Sequence, residues 1–195
     1  MPTFAVTTEP TTEPLTLDEL KLRLRVTTCD FDTELLQILV ESRKRVEEDS
    51  KRKLITQTVT MYLDDFPRGD CIEIRLAPIQ SITSVQYYDL AAVLQTHSST
   101  TGYWTDIVST PSKMELRNGQ VWPYTQLDRP NVIVVTFVAG YGAAAAVPPV
   151  AKLAIVEYAR SLWQGCDGNT TTYQRLISAL SWTAFHSVSL ENYSR

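Results

Sequence analysis

The acids, histidines and cysteines of this chain are sparse, and their spacing limits the chemistry they could do. Asp64 and Asp65 are neighbours. A general acid-base pair must converge on one reacting atom, whereas adjacent strand residues point to opposite faces and adjacent loop residues of this type cap turns. The two histidines, His97 and His186, stand in no HExxH frame, so a histidine-built metal site is not expected and both read as surface residues. Cys29, Cys71 and Cys166 are odd in number and far apart. That fits neither a disulfide framework nor a CxxC clip, and they read as free thiols of a reducing compartment. No GxSxG elbow or GxxxxGK(S/T) loop occurs, and Gly140-Tyr141-Gly142 lacks the third glycine of a dinucleotide turn. Arg68-Gly69-Asp70 matches a short adhesion tripeptide but sits where a hairpin needs a glycine turn. The expectation is a protein that is not an enzyme, with no catalytic residue, no metal and no cofactor.

Aromatic residues offer the other kind of chemistry. Trp104, Trp122, Pro123 and Tyr124, with Tyr87, Tyr88 and Tyr103, could stack on sugars or dock a partner, although core packing is the commoner use. Trp163 and Trp182 lie in apolar helical contexts and read as packing residues, with an intersubunit contact as the second choice.

The elements that must position these residues follow from periodicity. Residues 1–14 are rich in Thr, Pro and Glu and read as a flexible arm, or else as a strap that orders on a neighbouring subunit. Thr16 and Glu19 form a capping box, and Leu17, Leu20 and Leu24 mark a first helix. Asp30 or Asp32 caps a second, with Leu35, Leu36, Leu39 and Val46 at helical spacing, expected to reach about Lys53. Its charged end, with Glu41 to Arg45, Glu47 to Lys51, Glu48 to Arg52 and Asp49 to Lys53 each four apart, reads as a solvated face.

From Leu54 the period becomes two. Val59, Met61 and Leu63, then Ile72, Ile74 and Leu76 after a Pro67 to Asp70 turn, read as a hairpin. Further strands are expected at 82–88, 93–96, 104–108, 113–116 and 132–139, separated by turn signals such as Asn118-Gly119. Pro148 and Pro149 suit the first turn of a third helix with Val150, Leu153, Ala154 and Tyr158 on its apolar side, stopping near Gly165. A short fourth helix spans about Tyr173 to Trp182. The fold class is α+β: a helical layer of two N-terminal and two C-terminal helices with an inserted antiparallel β-sandwich or small barrel. The domains are a 1–14 arm, a discontinuous helical domain of 15–53 and 147–182, a β module of 54–142, and a tail of 183–195.

The chain has 195 residues, 44% of them hydrophobic and 21% charged, the composition of a globular protein able to bury its own core. A net charge of -4 argues against a basic face gripping phosphates, although a wall past which DNA slides without sticking would tolerate it. The first residues lack the pattern of a signal peptide, and no segment has the ~20 unbroken apolar residues of a membrane helix, so synthesis in the cytoplasm and no membrane partner are expected. Asn169-Thr170-Thr171 and Asn192-Tyr193-Ser194 read as chance glycosylation matches.

The order of these segments resembles the head-tail connector, or adaptor, proteins of tailed bacteriophages, in their longer form with a β insertion. The resemblance runs from about Leu15 to Trp182. It is carried by Leu15-Thr16-Leu17-Asp18-Glu19-Leu20-Lys21 with Leu24-Arg25-Val26, by Asp30-Phe31-Asp32, by Leu54-Ile55-Thr56-Gln57-Thr58, and by the segment from Leu63 to Pro67. Ala77-Pro78-Ile79-Gln80-Ser81-Ile82-Thr83-Ser84-Val85, Arg129-Pro130-Asn131-Val132, Phe137-Val138-Ala139-Gly140-Tyr141-Gly142 and Val147-Pro148 complete it. It implies a structural virion protein without cofactor, in a homo-oligomeric ring usually of twelve copies. The ring would sit below the portal protein at the capsid vertex, receive the next neck, stopper or tail-completion protein, and enclose the channel through which DNA passes. By the same analogy the C-terminal segment would dock on the portal, with Tyr173, Leu176, Ile177, Leu180 and Trp182 as the docking residues. The alternative from another class is a carbohydrate-binding module using the aromatic β surface.

Overall fold

The computed structural model describes residues 2–126 and 129–181. The chain divides into two compact units, Met1–Pro10 with Thr56–Gly140, and Thr11–Ile55 with Tyr141–Arg195. Each has its own hydrophobic core.

The second unit is helical. Helix α1 (Leu17–Leu24) starts at the capping box read from the sequence: Thr16 Oγ1 accepts from the Glu19 amide at 3.2 Å, and Glu19 Oε2 accepts from the Thr16 amide at 2.8 Å, satisfying two of the orphan donors of a first turn. Helix α2 (Asp32–Ser50) carries Asp32 and Glu34 in its first turn, at the positive end of the dipole. It stops short of the expected Lys53. Lys51 turns left-handed at φ 54°, and the Glu47 carboxylate takes the Leu54 amide and the Lys53 ammonium, each at 3.0 Å, which folds the chain back. Helix α3 (Pro149–Trp163) opens on a proline that needs no donor. Helix α4 (Thr171–Leu180) is capped by Thr170, whose Oγ1 accepts from the Tyr173 amide at 3.1 Å.

The core of this unit is built from Leu20, Leu39, Val46 and Ile155 with Ala151, Ala154 and Ala159. The alanines correct the expected stripe of α3. Their small side chains let the helices approach closely, so the buried side follows Ala151, Ala154, Ile155, Tyr158 and Ala159, while Val150 and Leu153 are turned outward. Leu36 of α2, also expected inside, is likewise exposed. Between α3 and α4, Gly168 holds φ +80°, and a Cβ there would lie 2.3 Å from the Tyr158 ring; only glycine fits.

The first unit is all β, with strands β1 (Thr3–Thr8), β2 (Gln57–Leu63), β3 (Cys71–Ile74), β4 (Ile79–Tyr88), β5 (Leu94–Thr96), β6 (Tyr103–Asp106), β7 (Ser112–Leu116) and β8 (Ile133–Ala139). All pairings are antiparallel. One sheet has the order β1-β2-β8-β4-β5 and the other β3-β7-β6. Both contribute to one core, in which Met61, Ile74, Val85, Met114, Ile133, Val135 and Phe137 are completely buried. The α+β class and the sandwich are as expected, and neither sheet closes into a barrel.

Two expectations are corrected here. The 54–76 segment is not a hairpin: β2 pairs with β1 and β8, and β3 pairs with β7. The two-residue period fixes which face a residue occupies, not which strand lies alongside. The arm expected over residues 1–14 is ordered where it is described. Residues 3–8 form β1 against β2, with Phe4 opposite Met61 and Val6 opposite Val59, and Thr7 Oγ1 lies 2.8 Å from Thr60 Oγ1. The Thr, Phe and Val of this stretch favour a pleated surface, and without them β2 would present an unpaired edge.

Candidate functional site

The adjacent aspartates and the Arg68-Gly69-Asp70 turn are engaged in folding contacts. Asp64 Oδ1 accepts from the Asn131 amide at 3.0 Å. Asp65 Oδ1 accepts from the Phe66 amide at 2.8 Å and from Thr125 Oγ1 at 3.3 Å, so both carboxylates hold loops in place. The Arg68-Gly69-Asp70 turn is tied down from outside: Trp122 Nε1 donates to the Gly69 carbonyl at 2.9 Å, and the Leu116 amide to that of Asp70 at 2.8 Å. Among the described residues the cysteines are free thiols, and no three His, Cys, Asp or Glu side chains gather where a metal could be held.

His97 is not the surface residue that the sequence suggested; His186 lies outside the described residues. The His97 ring stacks on Tyr103 at 5.5 Å, meets Tyr87 edge-on at 6.5 Å and lies 5.7 Å from Trp122. Its Nε2 is buried without a hydrogen-bond partner. Burial pulls its pKa below the usual histidine value, because an imidazolium there loses hydration. The sign follows from linkage: between the folded and unfolded pKa values the unfolded chain binds more protons, so stability rises with pH across that window. The β unit is therefore expected to keep its full stability above about pH 7 and to lose some as the pH falls below ~6.5. Thermal melts at about pH 7.5 and 5.5 check this, and a His97→Phe chain should show a smaller drop.

The aromatic surface is largely spent on packing. Trp122 stacks on Phe66 at 4.8 Å, and Tyr103 is buried. Arg117 lies 3.4 Å above the Trp104 ring, and Arg129 lies 3.5 Å above Tyr88, each covering one face of a ring that a sugar would need. Exposed aromatic area remains at Tyr124 and on Trp104.

In the helical unit the charged end of α2 is partly inside, which corrects the solvated-face reading. Arg43 is 2% and Glu47 3% exposed. Arg43 Nε donates to Glu13 Oε2 at 2.8 Å and Nη1 to Glu47 Oε2 at 3.4 Å. Ser42 and Ser50 are buried beside them, each donating to the carbonyl four residues earlier. On the neighbouring side Asp49 Oδ2 accepts from Arg45 Nε at 2.9 Å and from Tyr173 Oη at 2.8 Å. Burial first, then the Asp49 carboxylate, raises the Tyr173 pKa, so this phenol stays a donor at any physiological pH.

The residues expected to dock a portal are therefore not all free to do so. Tyr173 and Leu180 are buried in their own unit, Tyr173 against Tyr158 at 5.1 Å between ring centroids. Leu176 and Ile177 pack half-buried on the same core. Trp182 lies outside the described residues. Exposed apolar surface that the sequence did not single out lies elsewhere on the helices. Leu36, Gln37, Val40, Glu41 and Lys44 line a shallow groove on α2 that is wide open to solvent, and Val150 and Leu153 stand 38% and 47% exposed on α3.

Among the described residues no helix is long and apolar enough to cross a membrane. No family profile matches the chain, and no curated protein matches it in sequence at a significant level. Solved structures do match. A chain in the neck of an empty gene transfer agent particle, computed with C6 symmetry, is 20% identical, with a TM-score of 0.77 over 92% of this chain and 95% of that one. A chain in the virion of the native gene transfer agent gives 19% identity and a TM-score of 0.76 over 91% and 94%. One in the native neck computed with C12 symmetry gives 18% and 0.66 over 90% and 94%. At such identities the likeness is one of fold, and nearly end to end this chain has the fold of chains solved in gene transfer agent particles and their necks.

Proposed function

We propose that this chain is a structural protein of the virion neck, a head-tail adaptor. In this reading its copies form a ring below the portal, join the capsid vertex to the next neck or tail component, and surround the DNA channel. The observation that carries it is the likeness, over more than nine-tenths of both chains, to a protein in a gene transfer agent neck. The C6 and C12 symmetries of those necks support a ring of repeated copies. The net charge of -4 suits a passage for DNA, because a wall with few clustered cations releases few counterions and does not hold the polymer.

Portal docking by the C-terminal segment keeps its place in this reading, with the roles divided. Tyr173 and Leu180 anchor α4 to the helical core, leaving the outer parts of Leu176 and Ile177 and the chain from Trp182 onward to reach the portal. Deleting residues 173–195 would strip a buried face from the core, so the informative truncation ends at Ser181. This chain is expected to melt as the full-length protein does and to bind purified portal rings ~100-fold or more weaker, since one aromatic anchor alone can carry 2 kcal/mol or more, roughly thirtyfold. Unchanged affinity would remove the C-terminal segment from the docking site.

Exposure of Trp104 and Tyr124 favours one second reading, a carbohydrate-binding module. It requires the monomer to bind glycans and Trp104→Ala to abolish that binding; titration calorimetry against a glycan panel separates the two readings.

A further inference from the structure

Resting on the ring reading above, we infer that the helical unit carries both halves of a head-to-tail contact between copies: the outer flank of α2 on one copy receives the outer face of α3 and the end of α1 on the next.

The first half is the α2 groove. Leu36 is exposed and Val40 half-buried, and together they give it an apolar floor. Beside it run Glu34, Glu41 and Glu48, all exposed and seven residues apart, so they stack along one side of the helix at two-turn intervals. Lys44 and Arg45 are the cations on this flank, Arg45 paired with Asp49 at 2.9 Å, and with Asp49 counted the stripe remains net acidic. The second half is basic. Leu153 and Val150 are its apolar residues, and Arg160 lies seven positions after Leu153 on the same face. Arg160 pairs with Glu157 at 3.0 Å, and its other amino group reaches the Arg23 carbonyl at 3.5 Å, which brings Arg23 and the exposed Arg25 at the end of α1 to this edge. Lys152 and Glu19, also here, offset one another. Three arginines against Glu157 face three glutamates and Asp49 against Lys44 and Arg45, so the two halves match in charge as well as in apolar character.

Direction follows from packing. The buried side of α2 (Leu39, Val46) and that of α3 (Ala151, Ala154, Ile155, Ala159) both turn into one core, so the flanks left over look out on different sides of the unit. Two different patches on one subunit cannot pair isologously; they join tail to head and close into a ring when the rotation permits. Exposed leucine and valine beside complementary charge is the pattern of such an interface.

The test uses two full-length variants. Leu36→Asp with Val40→Asp removes the groove, and Val150→Asp with Leu153→Asp removes the opposing face. Val150 lies in the first turn of α3, where Asp is tolerated, and circular dichroism melts check that both chains fold. By mass photometry or light scattering the wild-type chain is expected to form species larger than a dimer and each variant alone to stay monomeric. The mixture should stop at one copy of each, because each variant retains the half that the other lacks. A variant that assembles like the wild type would overturn the assignment of these faces while leaving the ring reading intact. A mixture of folded variants that stays monomeric, or a wild-type chain that stays monomeric at every concentration, would also overturn it. Portal binding, measured separately, reports on the ring reading itself.

Discussion

Glu47→Ala is expected to destabilise the helical unit by about 3–5 kcal/mol, the cost of removing one partner from a buried ionic network. The carboxylate is almost wholly enclosed and serves three donors: the Leu54 amide, Lys53 Nζ and Arg43 Nη1. Its removal leaves a guanidinium that is itself 2% exposed with one carboxylate fewer, and frees the backbone that turns back after α2. Glu47→Gln keeps the shape and two acceptor lone pairs but not the charge, and should fall between the two. Urea titration gives the size of the loss, and amide exchange should show it first in α2 and the segment that follows. A loss below about 1 kcal/mol, the worth of a surface ion pair, would mean that the network does not hold this turn.

Phe137→Ala is expected to cost the β unit about 3–5 kcal/mol. Phe137 heads the largest fully buried side chains and sits in β8, the middle strand of its sheet, opposite Val59 on β2 and Ile82 on β4. The hole would open where both sheets meet and no neighbour can collapse into it without leaving its rotamer. Val138→Ala, the next residue along, points to the other face and is only half-buried, so it should cost much less. A denaturation series of the two variants checks the contrast; equal losses would refute the register on which the sandwich rests.

What could be read in the residues alone was whatever is decided within a few positions. The Thr16 and Glu19 capping box is a contact between residues three apart, and it forms as read. The alternation of β8 is a property of one strand and holds from Ile133 to Ala139. What depends on distant partners was not legible. The burial of Arg43 is set by Glu13, thirty residues earlier, and by a Glu47 that itself binds Lys53 and Leu54. On a helical wheel these are ordinary surface charges. Pairing of β2 with β1 and β8, and not with β3, is likewise a choice among edges that no local pattern makes.

The docking residues show the same division. The period of α4 gave its apolar side correctly, but an apolar side does not say whether it meets its own core or a partner, and Tyr173 and Leu180 meet their own core. The reverse happened on α3. Val150 and Leu153 resemble core residues by type, and only the close approach permitted by Ala151, Ala154 and Ala159 shows that the core lies on the other side.

An electron cryo-microscopy map of the assembled particle puts the placement of this chain at the neck to the test most directly. A ring of density below the portal into which the helical unit and the β unit of each copy both fit is the expected result. Particles whose heads and tails are joined with no density for this chain between them would contradict it.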